Sequence, residues 1–220
     1  MIKDILEKIW GIIKKNIFVI ICIIIFAGLC LVIKYKFSEP IIQLDTSVRE
    51  FIKNNMRNDS LTSILKVITH LGDTAAAIGI GILVILIASN NIKRIVLGLD
   101  LCSIGAFAYI LKKVIARPRP VEALVKIPDS FSFPSGHTFF SFGFYSLILY
   151  FVLKSKLKKP FKIILTIILS LLIILIPFSR VYLGVHHFTD IVGGLILGLL
   201  FLIFYIRTYS YLKEEIKWMV

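Results

Sequence analysis

The sequence predicts an all-α polytopic membrane protein: a bundle of six transmembrane helices with an N-terminal amphipathic segment and an external interfacial helix. Three observations carry this reading. Hydrophobic residues make up 58% of the 220 residues, well above the share in soluble domains. Apolar runs of about 20 residues, the length that crosses a bilayer, recur between short polar breaks. The formal net charge is +13, from 26 Lys and Arg against 13 Asp and Glu. Cationic loops that orient helices and meet anionic headgroups account for that surplus. No soluble module is present to turn it toward nucleic acid, so the expected partners are the bilayer and a lipid. No obligate protein partner is evident, and the chain reads as one domain over residues 1–220.

In order, residues 1–15 set Ile2, Ile5, Ile9, Ile12 and Ile13 against Lys3, Lys8, Lys14 and Lys15. That pattern suits a stretch lying on an anionic inner leaflet. Residues 16–34 form the first span. Over 39–60, Ile41, Leu44, Val48, Phe51 and Ile52 recur at helical spacing among Asp45, Arg49, Glu50 and Lys53, which predicts an interfacial helix covering the bundle. The second span, 61–89, is broken at His70-Leu71-Gly72-Asp73, where His70 reads as a capping or packing residue. The third runs from about 93 to 116 and holds Asp100, an ionisable group that calls for a structural partner. A polar, Pro-rich loop covers 117–135, and the fourth span follows to about 153. A basic turn leads to the fifth, 161–177. After a break at 177–186 the sixth ends near Tyr205, with Gly194 and Gly198 spaced for close helix packing. Cys22, Cys30 and Cys102 all lie in apolar runs and read as small buried hydrophobes. Leu29 before Cys30 argues against a lipoprotein site.

Six spans put both termini on one side. Lys and Arg divide almost evenly between the two faces, but the loops at 90–94 and 154–162 contain no acid. The expectation is therefore a multi-pass plasma-membrane protein with cytoplasmic termini.

Three polar islands then emerge together on the exterior: Lys112 with Arg117-Pro118-Arg119-Pro120, Phe133-Pro134-Ser135-Gly136-His137, and Ser179-Arg180 with His186 and Asp190. Lys112, Arg119 and Arg180 around histidines suggest an anionic substrate, since the guanidinium fork donates two parallel bonds to phosphate. Ser135-Gly136 opens a helix whose free N–H groups bind anions, and Gly136 lets the anion come close. A plain N-cap by Ser135 is the simpler alternative. His186 and Asp190, four apart, share a helix face. The carboxylate can fix the imidazole tautomer and leave the other nitrogen as a nucleophile. His187 points away on the same helix and reads as packing. Metal phosphatases need several carboxylates around the ion, whereas Asp190 is the one acid inside the motifs. Neither a metal nor another cofactor is expected.

Lys112-x6-Arg119-Pro120, Pro134-Ser135-Gly136-His137 and Ser179-Arg180-x5-His186-x3-Asp190 together resemble the three-part signature of the type 2 phosphatidic acid phosphatase superfamily. That family includes integral-membrane lipid phosphatases, bacterial acid phosphatases and vanadium haloperoxidases. The motifs span 112–190 in family order, and the six-span layout extends the likeness over nearly the whole chain. The resemblance implies that His186 attacks phosphorus to give a phosphohistidine, oriented by Asp190. It implies that His137 protonates the leaving group and then activates water. Lys112, Arg119, Ser135, the Gly136 N–H and Arg180 would hold the phosphoryl oxygens. Lys113 and Arg117 fall outside the pattern and read as snorkelling cations. The substrate stays open among phosphatidylglycerol phosphate and phosphatidic acid, in lipid metabolism, and undecaprenyl diphosphate, in cell-wall carrier recycling. A lipid phosphotransferase is the nearest rival. A non-catalytic lipid-binding or transport protein is disfavoured, because it would not need both histidines.

Overall fold

A computed structural model describes residues 2–36 and 38–217. Among them the elements are all helical: α1 (Ile2–Lys36), α2 (Ser38–Asn55), α3 (Asp59–Thr69), a 3-10 turn (His70–Gly72), α4 (Thr74–Ile87), α5 (Asn91–Ile115), α6 (Gly136–Leu153), α7 (Lys159–Tyr182) and α8 (Phe188–Lys217). Five helices are long and apolar enough to cross a membrane, and α3 with α4, bent by 57° at the break, pass the same test as a pair, bringing the count to six if the two cross as one broken span. The break falls at His70–Asp73, where the sequence places it.

The bundle is built around α6, which packs most closely on α8 and α7. Phe139, Phe144 and Leu147 are fully buried there, while α1 and α7 turn most of their apolar surface outward, as helices facing lipid do. Glycine sets the α6–α8 distance. A Cβ on Gly198 would lie 3.0 Å from the Gly143 nitrogen, and one on Gly194 would lie 2.9 Å from the Thr138 Cβ. The pair serves the close approach expected of it.

Three predicted boundaries are corrected. The N-terminal amphipathic stretch is not a separate element, because α1 runs unbroken through it. The stretch is held against α8, where the Asn16 amide donates to Thr208 Oγ1 at 3.2 Å and Arg207 Nε to the Lys15 carbonyl at 3.0 Å. For the same reason α8 continues to Lys217 instead of stopping near Tyr205. The break expected from Pro177 shrinks to 183–187: α7 passes through Pro177 to Tyr182. A proline removes one helical bond, here the one to the Ile173 carbonyl, and packing inside a bundle tolerates that loss; Pro177 itself is buried within α7. The partner expected for Asp100 is also missing, since both its carboxylate oxygens are buried with no hydrogen bond among the described residues.

Candidate active site

The three islands meet at the ends of α5, α6, α7 and α8. At the end of α5, Ala116 adopts a left-handed conformation (φ 50°) and its N–H closes on the Lys112 carbonyl at 2.9 Å. The chain is thereby turned into the 117–135 loop. Lys112 then reaches back into this loop, donating to the Phe131 carbonyl at 2.7 Å and the Ser132 carbonyl at 3.2 Å.

Arg119 is laid across the front of the histidine. Its Nη1 donates to the Val185 carbonyl at 2.8 Å and to His186 Nε2 at 3.1 Å, and its Nε to the Ser130 carbonyl at 2.6 Å. On the far side of the ring, His186 Nδ1 lies 3.4 Å from Asp190 Oδ2 and 3.3 Å from the Ser132 hydroxyl. Burial pushes the His186 pKa down to about 3, only partly opposed by Asp190, so the imidazole is neutral. A neutral ring with Nδ1 turned to a carboxylate has its Nε2 lone pair directed at the cations.

Asp190 is fully buried and its bonds are nearly saturated. Oδ2 accepts from the Ser132 hydroxyl and from the His187 N–H at 2.9 Å. Oδ1 accepts from Arg117 Nη1 at 2.7 Å. Arg117 is therefore not a snorkelling residue, and this corrects the sequence reading. Its side chain is 18% exposed and bridges Asp190 to Asp45, which is itself 2% exposed. Asp45 in turn accepts from the Thr189 N–H at 2.9 Å and hydroxyl at 2.8 Å. Thus α2 does more than cover the bundle: it lends a buried carboxylate to the start of α8. Lys113, by contrast, does lie outside the cluster, over the Tyr109 and Phe131 rings at 5.8 and 6.0 Å. His187 lies at the edge, its Nε2 3.3 Å from the Pro118 carbonyl.

Ser135 is the N-cap of α6. Its hydroxyl oxygen accepts from the Thr138 N–H at 3.4 Å and hydroxyl at 3.1 Å, which leaves its own proton to donate. Its backbone N–H donates to the Asp190 carbonyl at 3.1 Å, tying α6 to α8. A Cβ on Gly136 would meet Lys112 Cε only at 4.0 Å, so the helix N-terminus and the lysine stem are neighbours. Arg180 is 4% exposed and donates to Thr69 Oγ1 at 2.6 Å, while its Nε is buried without a partner. A buried guanidinium N–H left unpaired is costly in isolation and is what an incoming anion would satisfy.

His137 has a carboxylate partner that the motif pattern does not contain. Its Nε2 lies 2.8 Å from Asp73 Oδ1, and His70 Nδ1 lies 2.7 Å from the other oxygen, Oδ2. His70 is the C-cap of α3, one of the two roles expected of it, and its side chain is 74% exposed rather than packed. All eight predicted site residues thus converge, joined by four that the sequence reading missed: Asp45, Asp73, Arg117 and Ser132. The one legible trace of these was the polar break at 70–73 inside an apolar run. Beside Lys112 and Arg119 opens a cavity of about 570 Å³, and a separate, mostly apolar groove of about 500 Å³ lies between α1, α2 and α8.

Comparison with known proteins points to one family. The PAP2 superfamily profile matches residues 94–214. Phosphatidylglycerophosphatase B of Bacillus subtilis (strain 168) is 36% identical over 176 residues, 74% of this chain and 80% of that protein. Dolichyldiphosphatase 1 of Dictyostelium discoideum is 29% identical over 126 residues, 56% of this chain and 55% of that protein. Among solved structures, the transmembrane PAP2-type phosphatidylglycerolphosphate phosphatase from Bacillus subtilis superposes with a TM-score of 0.69 at 28% identity, covering 87% of this chain and 94% of that one. Aquifex aeolicus LpxE superposes with a TM-score of 0.58 at 25% identity, covering 76% of this chain and 94% of that one.

Proposed function

This chain belongs to the PAP2 superfamily and is a multi-pass membrane lipid phosphatase, and from that premise we propose a metal-independent hydrolase that works through a phosphohistidine at the outer membrane face. One observation carries the reading. His186 is buried and neutral, with Nδ1 on the Asp190 side and Nε2 facing Arg119.

The chemistry follows from that orientation. A lipid phosphate enters with its phosphoryl oxygens against Arg119, Lys112, Arg180, the Ser135 hydroxyl and the Gly136 N–H. Arg119 releases Nε2 for the phosphate oxygens, and the unpaired Arg180 Nε gains an acceptor. The Nε2 lone pair attacks phosphorus, the bond from phosphorus to the lipid oxygen breaks, and His137 gives that oxygen a proton. Water then attacks the phosphohistidine and passes a proton back to His137. Phosphate leaves, and His186 returns neutral. The cations offset the charge that spreads over the phosphoryl oxygens, which is most of what phosphoryl transfer asks of a protein. Proton transfer by His137 is worth about 10²–10⁴ in rate. Metal-independence is supported by the donor set. Asp45 and Asp190 are both bound by Arg117, and among the described residues no three His, Cys, Asp or Glu side chains are placed to hold one metal ion together.

Phosphatidylglycerol phosphate is the first substrate to try, because two of the relatives carry that activity in their names; phosphatidic acid and undecaprenyl diphosphate come next. The lipid tail stays in the bilayer, and both termini lie in the cytoplasm. The test is phosphate release by purified protein in detergent with EDTA over these three lipids, beside His186→Ala. The expected result is release that survives EDTA and a trapped, acid-labile phosphoenzyme absent from His186→Ala. Strict dependence on added metal would overturn the mechanism. Transfer of the phosphoryl group to a second lipid instead of water would make the enzyme a phosphotransferase. Labelling of cysteines placed at 120–130 from the cytoplasm would reverse the topology.

A further inference from the structure

The Asp73 carboxylate has no role in the mechanism so far, yet it sits in a built position. The span is broken there, and three contacts fix the break. Tyr145 of α6 donates its hydroxyl to the Leu71 carbonyl at 2.7 Å, Arg180 of α7 donates to Thr69, and His70 closes on Asp73 from the solvent side. Gly72 is what allows the segment to approach: a Cβ there would stand 2.8 Å from His137 Cδ2 and 2.9 Å from Ile176 Cγ2. With Nε2 on Asp73, the remaining ring nitrogen of His137, Nδ1, bonds no group among the described residues and is not among the buried unpaired atoms.

We propose that Asp73 is the positioning residue of the proton-transfer histidine, with His70 as its outer support. Asp73 holds the Nε2–H of His137, turns Nδ1 to the reacting oxygens, and stabilises the imidazolium present before proton donation and after water is deprotonated. The inference rests on the role given to His137 above. The proton count closes without Asp73 changing state: Nδ1 gives one proton to the lipid oxygen and takes one from water in each turnover. A carboxylate bonded to the distal nitrogen fixes the tautomer in the same way that outer partners orient metal-bound histidines.

The experiment compares Asp73→Asn, His70→Ala, His137→Ala and the double variant Asp73→Asn with His137→Ala, assayed on a lipid monophosphate. Asp73→Asn should lower kcat by about 10–100-fold, the usual cost of losing an outer orienting partner, and leave KM near that of the unaltered enzyme. The double variant should be no slower than His137→Ala, because Asp73 acts only through that ring. His70→Ala, a change to a solvent-facing side chain, should lower kcat several-fold. Full activity in both Asp73→Asn and His70→Ala, or losses that multiply in the double variant, would overturn the inference and leave the His137 mechanism standing. A fully active His137→Ala would instead remove the mechanism itself, and the inference with it.

Discussion

The two histidines are each paired with a carboxylate, and the pairs are built in opposite ways. His186 lies in the loop just before α8 and Asp190 in the first turn of that helix, and both are buried. Asp190 is further gripped by Ser132, Arg117 and the His187 N–H. His137 takes its carboxylate from a residue 64 positions away in a broken span, and that carboxylate is 44% exposed with a solvent-facing histidine on its other oxygen. The difference matches the chemistry proposed for each. A nucleophile must be neutral and fixed, which burial and a saturated carboxylate provide. A ring that gives and takes a proton in each turnover needs access to water and a partner that tolerates its charge.

The largest test of this contrast is removal of the nucleophile. His186→Ala should lower phosphate release by about 10⁴-fold or more, as loss of a covalent catalyst does elsewhere, and quench-flow should detect no phosphoenzyme. Next comes the grip on Asp190. Arg117→Ala should cut kcat by about 10–100-fold. It also leaves Asp45 as an uncompensated buried charge, a change that typically costs about 3–5 kcal/mol; thermal unfolding in detergent checks that cost. Asp45→Asn in the Arg117→Ala background should restore part of the stability and none of the rate. On the other side, Gly72→Ala should push His137 off its bond to Asp73 and slow turnover about tenfold, within the range for a small displacement of a reacting group, and lower the melting temperature, because the same Cβ presses on buried Ile176.

The smallest effect is on pH and tests the burial of His186. The folded His186 resists protonation down to about pH 3, while the unfolded ring takes a proton near pH 6.5. Between those values the unfolded state binds more protons, so stability must fall as pH falls through this window. Melting curves from pH 7 to 4.5 should show that loss, and His186→Asn should flatten part of it. An unchanged slope would mean that His186 is not held neutral by the fold.

The helices and their order were legible because each rests on local pattern, such as apolar length for a span and a serine before an apolar run for the α6 cap. The eight residues of the expected site could be picked out by the spacing of the three polar islands, although His186 precedes α8 instead of sharing its face with Asp190. Local pattern was also what misled. The Lys-rich start of α1 looks like a surface helix in isolation, and only its contact with α8 makes it a continuation of the span. Pro177 looks like an end, and only packing carries α7 past it.

Arg117, Asp45, Asp73 and Ser132 are ordinary polar residues in the sequence, since nothing along the chain reports which carboxylate will meet which cation. Sequence alone determined the class of protein, its spans and the phosphate-binding signature, because hydrophobicity and motif spacing act over a turn or two of chain. Only the tertiary structure decided which groups hold the reacting histidines, because a buried charge is satisfied by whatever partner the fold brings to it, here from 64, 72 and 73 residues away by chain number.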